Sequence, residues 1–394
     1  MASLTDGGVS SGKSYDLAVV GAGILGLAHA YTAAKLGKSV VVIERDTRAN
    51  GASIRNFGFI TVTGQERHVV WPLARRCRDI WADIAPRAGI AIEHDGLLLN
   101  ARYPESVDVL EAFMATEMGE GCRLLGGAEA RSRHGDICPP HTLAALWSPH
   151  ELRVESRTAL PKLAAWLAAT MGVDFHTTTA VTAVAPPRLE TSAGVIYAEA
   201  VIVCPGDDLV SLFPDRIAAY APTRCRLSML RLGDPGFRLP GGVMSDLSLV
   251  RYEGYSALGA ADTLRRRLDA SHARHLDHGV HLIVVQSADG TLVVGDSHHY
   301  DATPDPFASS ESEALIVDEF AAATGLRTPP VLERWTGTYA SSSRQPFFID
   351  APDDATRLVM VTGGMGASTS FAIAEQTLDG LYSATTRKLQ WATT

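Results

Sequence analysis

Gly21-Ala22-Gly23-Ile24-Leu25-Gly26 lies between an apolar run, Tyr15 to Val20, and a stretch in which Ile24, Leu27, Ala28 and Tyr31 recur at helical spacing. The first glycine permits a tight turn, the second lets backbone approach a pyrophosphate, and the third lets helix pack on strand. The helix N-terminus offers N–H groups to the anion. Gly37 ends the helix and Val40 to Ile43 is a second β-branched run, so the order is strand, helix, strand, which requires parallel strands. Glu44 then stands where ribose hydroxyls are bound. A glycine turn that merely packs a helix is the alternative, and it does not account for this whole context. Gly21, Gly23, Ile24, Leu25, Gly26, Glu44 and Arg45 are therefore the first cofactor candidates, with NAD and FAD both open at this point.

At 394 residues the chain exceeds the roughly 250–300 at which one core stops growing, so two domains are expected. Hydrophobic residues at 46% and charged residues at 20% fit an ordinary globular protein. A net charge of −9 without a basic run excludes nucleic acid or an acidic membrane as a general partner. Cys77, Cys122, Cys138, Cys204 and Cys225 are scattered without a CxxC pair, which argues against structural zinc and for reduced thiols in the cytoplasm. Residues 1–13 lack the features of a signal peptide and read as a flexible tail. The apolar stretch Leu17 to Ala34 is broken by the glycines, so no membrane span is expected.

The pattern continues with amphipathic helices around Val70 to Ile84 and Glu105 to Met118, and with a short apolar segment, Gly96 to Leu99. A helix over Ser156 to Met171 precedes strand candidates at Val173 to Thr178 and Ala200 to Cys204. His281 to Gln286 and Thr291 to Gly295 flank Ala288-Asp289-Gly290, a hairpin closed by an Asp-Gly turn. Leu358 to Thr362 is a last strand, running into Gly363-Gly364-Met365-Gly366 and a helix near Ser368. The fold class is α/β: a Rossmann-like nucleotide domain (14–75, 150–221, 335–394) beside a mixed or antiparallel-sheet α+β substrate domain (76–149, 222–334).

The chain resembles the D-amino-acid oxidase and glycine oxidase superfamily of flavoproteins. The resemblance is carried by the opening motif, Gly51-Ala52-Ser53, Ala200-Val201-Ile202-Val203-Cys204-Pro205-Gly206, and Thr362-Gly363-Gly364-Met365-Gly366, which span nearly the whole chain in family order. It implies FAD, with Ala52, Ser53, Arg55, Asn56, Pro205, Gly206, Gly363, Gly364, Met365, Gly366 and Ala367 among the cofactor residues. Val181 matches the position whose backbone meets adenine. The last glycine turn brings a helix N-terminus to the pyrimidine end of the flavin, where its dipole favours the negative charge of the reduced ring. Relatives that attach flavin covalently carry a cysteine near Trp335-Thr336-Gly337-Thr338-Tyr339; this chain has none there, and noncovalent FAD is expected.

A narrower resemblance, to a branch associated with phosphonate breakdown, rests on Gly51-Ala52-Ser53-Ile54-Arg55-Asn56-Phe57-Gly58, Gly295-Asp296-Ser297-His298-His299-Tyr300 and Glu333-Arg334-Trp335. It implies oxidation of an aminophosphonate related to 2-aminoethylphosphonate. Glycine-oxidase-like relatives clamp a substrate carboxylate with an arginine where this chain has Tyr339. A phosphonate calls for arginine, hydroxyl and imidazole donors, so Arg251, Tyr252, Tyr255, His299, Arg344 and Trp335 are substrate candidates, with His298, Arg55 and Tyr339 as catalytic ones. Surface arginines and strand-ending histidines are the plain alternative. His272, His275, His278 and His281 recur every third residue, but without an accompanying carboxylate cluster no metal site is expected.

The partners implied are a small anionic amine and molecular oxygen or another electron acceptor, with oligomeric state open. Oxidation needs the neutral amine, and His298 is placed to assist its deprotonation. The resemblance aligns apolar Val293 with a lysine that promotes oxygen reaction in some relatives, so dehydrogenase behaviour stays open. Glycine, sarcosine or D-amino-acid oxidation, a nicotinamide-dependent dehydrogenase and a noncatalytic FAD protein are the alternatives.

Overall fold

The computed structural model describes residues 13–392. Of the expected flexible tail, residues 1–12 therefore lie outside the described residues. Ser14–Val20 is the first strand, Ile24–Lys35 the helix and Val40–Ile43 the second strand. All three follow the sequence pattern because their signals are local. Strand Ser14–Val20 pairs in parallel with Val40–Ile43 on one side and with Gly194–Val203 on the other. Asp174–His176 and Thr356–Val361 extend the parallel set, and Phe347–Asp350 closes one edge antiparallel. The hairpin Val181–Ala185 with Arg188–Thr191 completes an eight-stranded sheet.

The second sheet has nine strands. Its path runs Val331–Ser341, Thr223–Leu232, Leu292–Asp301, Ile283–Gln286, Gly242–Met244, Ile92–Ala101, Ala144–Val154 and Phe59–Ile60, with Arg123–Gly126 paired to Ala144–Val154. Among the described residues the single parallel pairing in this sheet is Gly242–Met244 on Ile92–Ala101. The expected hairpin forms between Ile283–Gln286 and Leu292–Asp301. The mixed α/β class thus holds.

The expected domain limits cut through several elements. Helix Val70–Arg87 runs unbroken past position 75, and its Trp81 packs edge-on against Phe371, with ring centroids 5.3 Å apart, in the core of the nucleotide side. Strands Ala144–Val154 and Val331–Ser341 belong to the second sheet along their whole lengths, although the expected limits assign 150–154 and 335–341 to the nucleotide domain.

The last helix, Gly366–Ala392, packs against Ile24–Lys35 and Val70–Arg87. Trp81 Nε1–H donates to the Ala367 carbonyl at 3.0 Å, which fixes where that helix begins. Losing a fully buried tryptophan costs about 3–5 kcal/mol, so this anchor is substantial. Among the described residues no helix is long and apolar enough to cross a membrane.

Candidate active site

The two sheets meet around a cavity of about 810 Å³, near the top of the range for ligand sites. One end is built by the parallel sheet. Gly21, Gly23, Ile24, Leu25, Gly26, Glu44, Arg45, Ala52, Ser53, Arg55, Asn56, Val181, Pro205, Gly206 and Gly363 to Ala367 all line it. The turn is as tight as the glycines suggested: a Cβ on Gly26 would lie 1.8 Å from the Gly21 carbonyl oxygen, and one on Gly21, at φ +102°, would lie 2.6 Å from that of Cys204. Glu44 accepts from the Ala22 N–H at 2.8 Å and from the Asp46 N–H at 3.0 Å, which holds its carboxylate at the rim of the turn. Ser53 Oγ accepts from the Ile24 N–H at 3.0 Å, tying loop 51–58 to the helix N-terminus. Asn56 braces the same loop, donating to the Ala52 carbonyl and accepting from the Gly58 N–H. Arg45 is paired with Asp208 at 2.9 Å.

The other end is built by the second sheet. Arg251, Tyr252, His298, Tyr339 and Arg344 line it, as expected. Arg344 sits exposed at the rim, and Arg251 is also solvent-accessible, its side chain lining the cavity with the guanidinium 6.0 Å from the centre of the Tyr300 ring. Among the described residues Arg251 makes no ion pair within 4.0 Å. Burial lowers its affinity for a proton, but the neighbouring Tyr300 and Tyr339 hydroxyls and Asp296 more than offset this, so it stays charged. Burial also raises Tyr252 and Tyr339 well above the usual phenol range, which keeps both as neutral donors.

Three expected substrate residues lie elsewhere. Tyr255 is fully buried, stacked over Gly64 and 4.8 Å from Phe113; it follows Tyr252 by three positions on a short helix and turns into the core. His299 faces the opposite side of its strand, towards Ser312 Oγ at 3.3 Å, because strand side chains alternate. Trp335 lies outside loop 51–58, where its Nε1–H donates to the Arg55 carbonyl at 3.2 Å and Arg157 covers its ring. Val293 is core and does not reach the cavity.

The same alternation brings in residues that the sequence reading passed over. Asp296, His298 and Tyr300 share one face of Leu292–Asp301 and line the cavity. His281, on the extended segment before Ile283–Gln286, joins them. Its Nδ1 is 3.1 Å from Asp296 Oδ1, and His298 Nε2 is 3.8 Å from Asp296 Oδ2. The carboxylate companion thought missing from the histidine series is thus present in space, supplied from another strand. One ligand atom from each of His281, Asp296 and His298 lies within 4.8 Å of the other two. Burial raises the Asp296 carboxyl, but the His298 and His281 imidazoles and the Arg251 guanidinium outweigh it, so the group lies below the ordinary carboxylate range. Burial dominates at His298 and pushes it down to about 3.

The family model for FAD-dependent oxidoreductases matches residues 16–379. The chain belongs to this family. No curated protein sequence matches the enzyme. Among solved structures it is similar to glycine oxidase from Geobacillus kaustophilus (19% identity, TM-score 0.75, covering 94% of this chain and 95% of that one). It also resembles L-amino acid deaminase from Proteus vulgaris (18%, TM-score 0.72, 96% and 95%). A third is L-alpha-glycerophosphate oxidase from Mycoplasma pneumoniae with FAD bound (16%, TM-score 0.70, 94% and 95%). At these identities the likeness is one of fold. The chain's own residues fit FAD: the glycine turn packs so closely that it tolerates no Cβ at Gly21 or Gly26, Glu44 is held beside it, and Gly206 (φ +67°) and Gly51 each leave open space where a side chain would stand.

Proposed function

We propose that the enzyme oxidises a small amine bearing an anionic group, an aminophosphonate related to 2-aminoethylphosphonate, at the carbon carrying nitrogen; the imine then hydrolyses to an aldehyde. The observation that carries this reading is Arg251, a guanidinium that lines the cavity without a carboxylate partner within 4.0 Å and lies beside Tyr252, Tyr300 and Tyr339. A fork of N–H donors with phenolic O–H groups around it suits a tetrahedral dianion with three acceptor oxygens. Tyr339, in the place where the resemblance puts a carboxylate clamp, supports the same choice.

Bound FAD supplies the hydride acceptor, held without a covalent link. Arg251 and the tyrosines fix the acid end of the substrate, and the enclosed walls exclude water from the reacting carbon. Tyr339 touches the Gly364 turn, where a Cβ would lie 3.6 Å from its hydroxyl, so it borders both ligands. His298 is kept neutral by burial, and in this reading its place is beside the substrate nitrogen. Oxygen is the favoured acceptor, and the unpaired thiols suit a reducing, cytoplasmic setting.

The test is an anaerobic visible titration of purified enzyme with 2-aminoethylphosphonate, its N-methyl and 1-hydroxy derivatives, glycine, sarcosine and D-alanine. Bleaching by a phosphonate alone supports the assignment, and air then distinguishes oxidase from dehydrogenase. Bleaching by amino acids alone would remove the phosphonate and leave an amine oxidase.

A further inference from the structure

The cavity has a second pole that the anion does not use. Asp296 and His281 are each 4% exposed and His298 is 8% exposed, yet all three line the cavity. His298 Nδ1 faces the Gly279 carbonyl at 2.9 Å; a carbonyl only accepts, so Nδ1 carries the proton. In the neutral ring Nε2 is then a bare acceptor, and it points at another acceptor, Asp296 Oδ2, 3.8 Å away. Asp296 Oδ1 and His281 Nδ1 are 3.1 Å apart without hydrogen-bond alignment, and both are buried atoms lacking a hydrogen-bond partner. His298 Nε2 and the Asp296 carboxylate are two buried acceptors facing one another, and such a pair requires a donor or a cation between them.

We propose that Asp296, with His298 and His281 beside it, is the site that takes the substrate's nitrogen, so that the enzyme selects an amine over an acid of equal shape that lacks one. The proposal deepens the amine-oxidation reading and rests on it. An aliphatic nitrogen brings two or three N–H donors on one small atom, which suits two facing acceptors and a third flanking group. The carboxylate supplies the counter-charge, and together with Arg251 it gives the cavity two poles of opposite sign. A bifunctional substrate is thereby oriented, since reversing it sets like charges together. A divalent metal is the other species that two imidazoles and a carboxylate attract. Arg251, whose positive charge already acts on Asp296 in the same cavity, weighs against it.

The test compares isosteric probes on the FAD-loaded enzyme through their perturbation of the visible flavin spectrum. 2-Amino-2-methylpropylphosphonate has no hydrogen on its nitrogen-bearing carbon and so binds without turnover; 2,2-dimethylpropylphosphonate replaces the amine by methyl; tert-butylamine lacks the phosphonate. The wild-type enzyme should bind the first at least tenfold more tightly than the second, as loss of a charge-assisted hydrogen bond implies. Asp296→Asn should bring the two within about twofold while binding the second as before. His281→Gln and His298→Gln should narrow the preference less, and they carry the test if Asp296→Asn fails to retain flavin. Should only tert-butylamine bind the wild type, with that binding lost in the variant, the phosphonate reading falls and the nitrogen site stands. Equal wild-type binding of the two phosphonates, a preference that survives in the variants, or no perturbation by any probe overturns the proposal. So does a stoichiometric metal ion in the purified enzyme that Asp296→Asn removes.

Discussion

Gly26→Ala tests whether the opening turn works as close packing requires. The added Cβ would sit 1.8 Å from the Gly21 carbonyl oxygen, against the 3.0 Å that real contacts keep, and 3.4 Å from Val19 Cγ1. The obstacle is backbone within the turn itself, so no side chain can swing aside. The helix Ile24–Lys35 must back away from strand Ser14–Val20 by more than 1 Å, or the turn must open. Overpacking of this kind costs about 1–3 kcal/mol where neighbours can yield, and more where they cannot. Part of that loss falls on the helix N-terminus, because Ile24 is tied to Ser53 and the last helix packs on the same helix. We expect a variant that purifies with less than a tenth of the wild-type flavin, judged by visible against ultraviolet absorbance, and with a melting temperature several degrees lower. Gly259→Ala, where a Cβ meets nothing within 4 Å, is the control and should match wild type in both. Full flavin and unchanged melting in Gly26→Ala would refute the argument.

Other outcomes follow from the same structure. Arg251→Met should weaken binding of 2,2-dimethylpropylphosphonate by roughly 10- to 100-fold at unchanged flavin content, read by spectral titration; undiminished binding would remove Arg251 from the anion pole. Arg102 is buried with Asp246 and Glu319, so Arg102→Met strands two carboxylates and should cost about 3–5 kcal/mol in urea unfolding, whereas a loss under 1 kcal/mol would show the cluster to be wetter than described. Tyr255→Phe should leave flavin reduction unchanged and stability within about 1 kcal/mol, since its hydroxyl is buried without a hydrogen-bond partner; a large fall in reduction rate would return it to the site. Burial lowers His29 to about 4 and His94 to about 3. The unfolded chain then binds more protons than the folded one, so their contribution is complete above the unfolded value near 6.5 and is lost as pH falls towards those lower values. Unfolding at pH 5 should therefore take up close to two protons from these groups, and His94→Gln should reduce the pH slope by about 1.4 kcal/mol per unit; an unchanged slope would mean that His94 is accessible to protons when folded.

How much of this was legible in the sequence depended on the range of each signal. The strand, turn and helix from Ser14 to Lys35 are specified by neighbours within a few residues, and the hairpin around Asp289 likewise. The residues that line the parallel-sheet end of the cavity followed from motif order, since each glycine turn meets the cavity through its own backbone. The substrate end was read only in part. Alternation along 295–300 already puts Asp296 and Tyr300 with His298 and turns His299 away, a signal present in the sequence but passed over in favour of the two adjacent histidines. That His281 meets Asp296 depends on a strand pairing, and that Tyr255 packs on Gly64 depends on a contact far along the chain. Neither is written in local pattern.

The placement of strand Ser14–Val20 between Val40–Ile43 and Gly194–Val203 has a consequence during synthesis. When the first strand, helix and second strand have left the ribosome, one edge of the central strand has no partner, and none arrives until about 150 further residues have been made. Through that interval Leu17, Val19 and their neighbours depend on whatever covers an open edge, which is the condition under which chains cross-pair with one another. A recombinant preparation that aggregates on fast expression but accumulates intact when translation is slowed or chaperones are abundant would carry the imprint of this order of assembly.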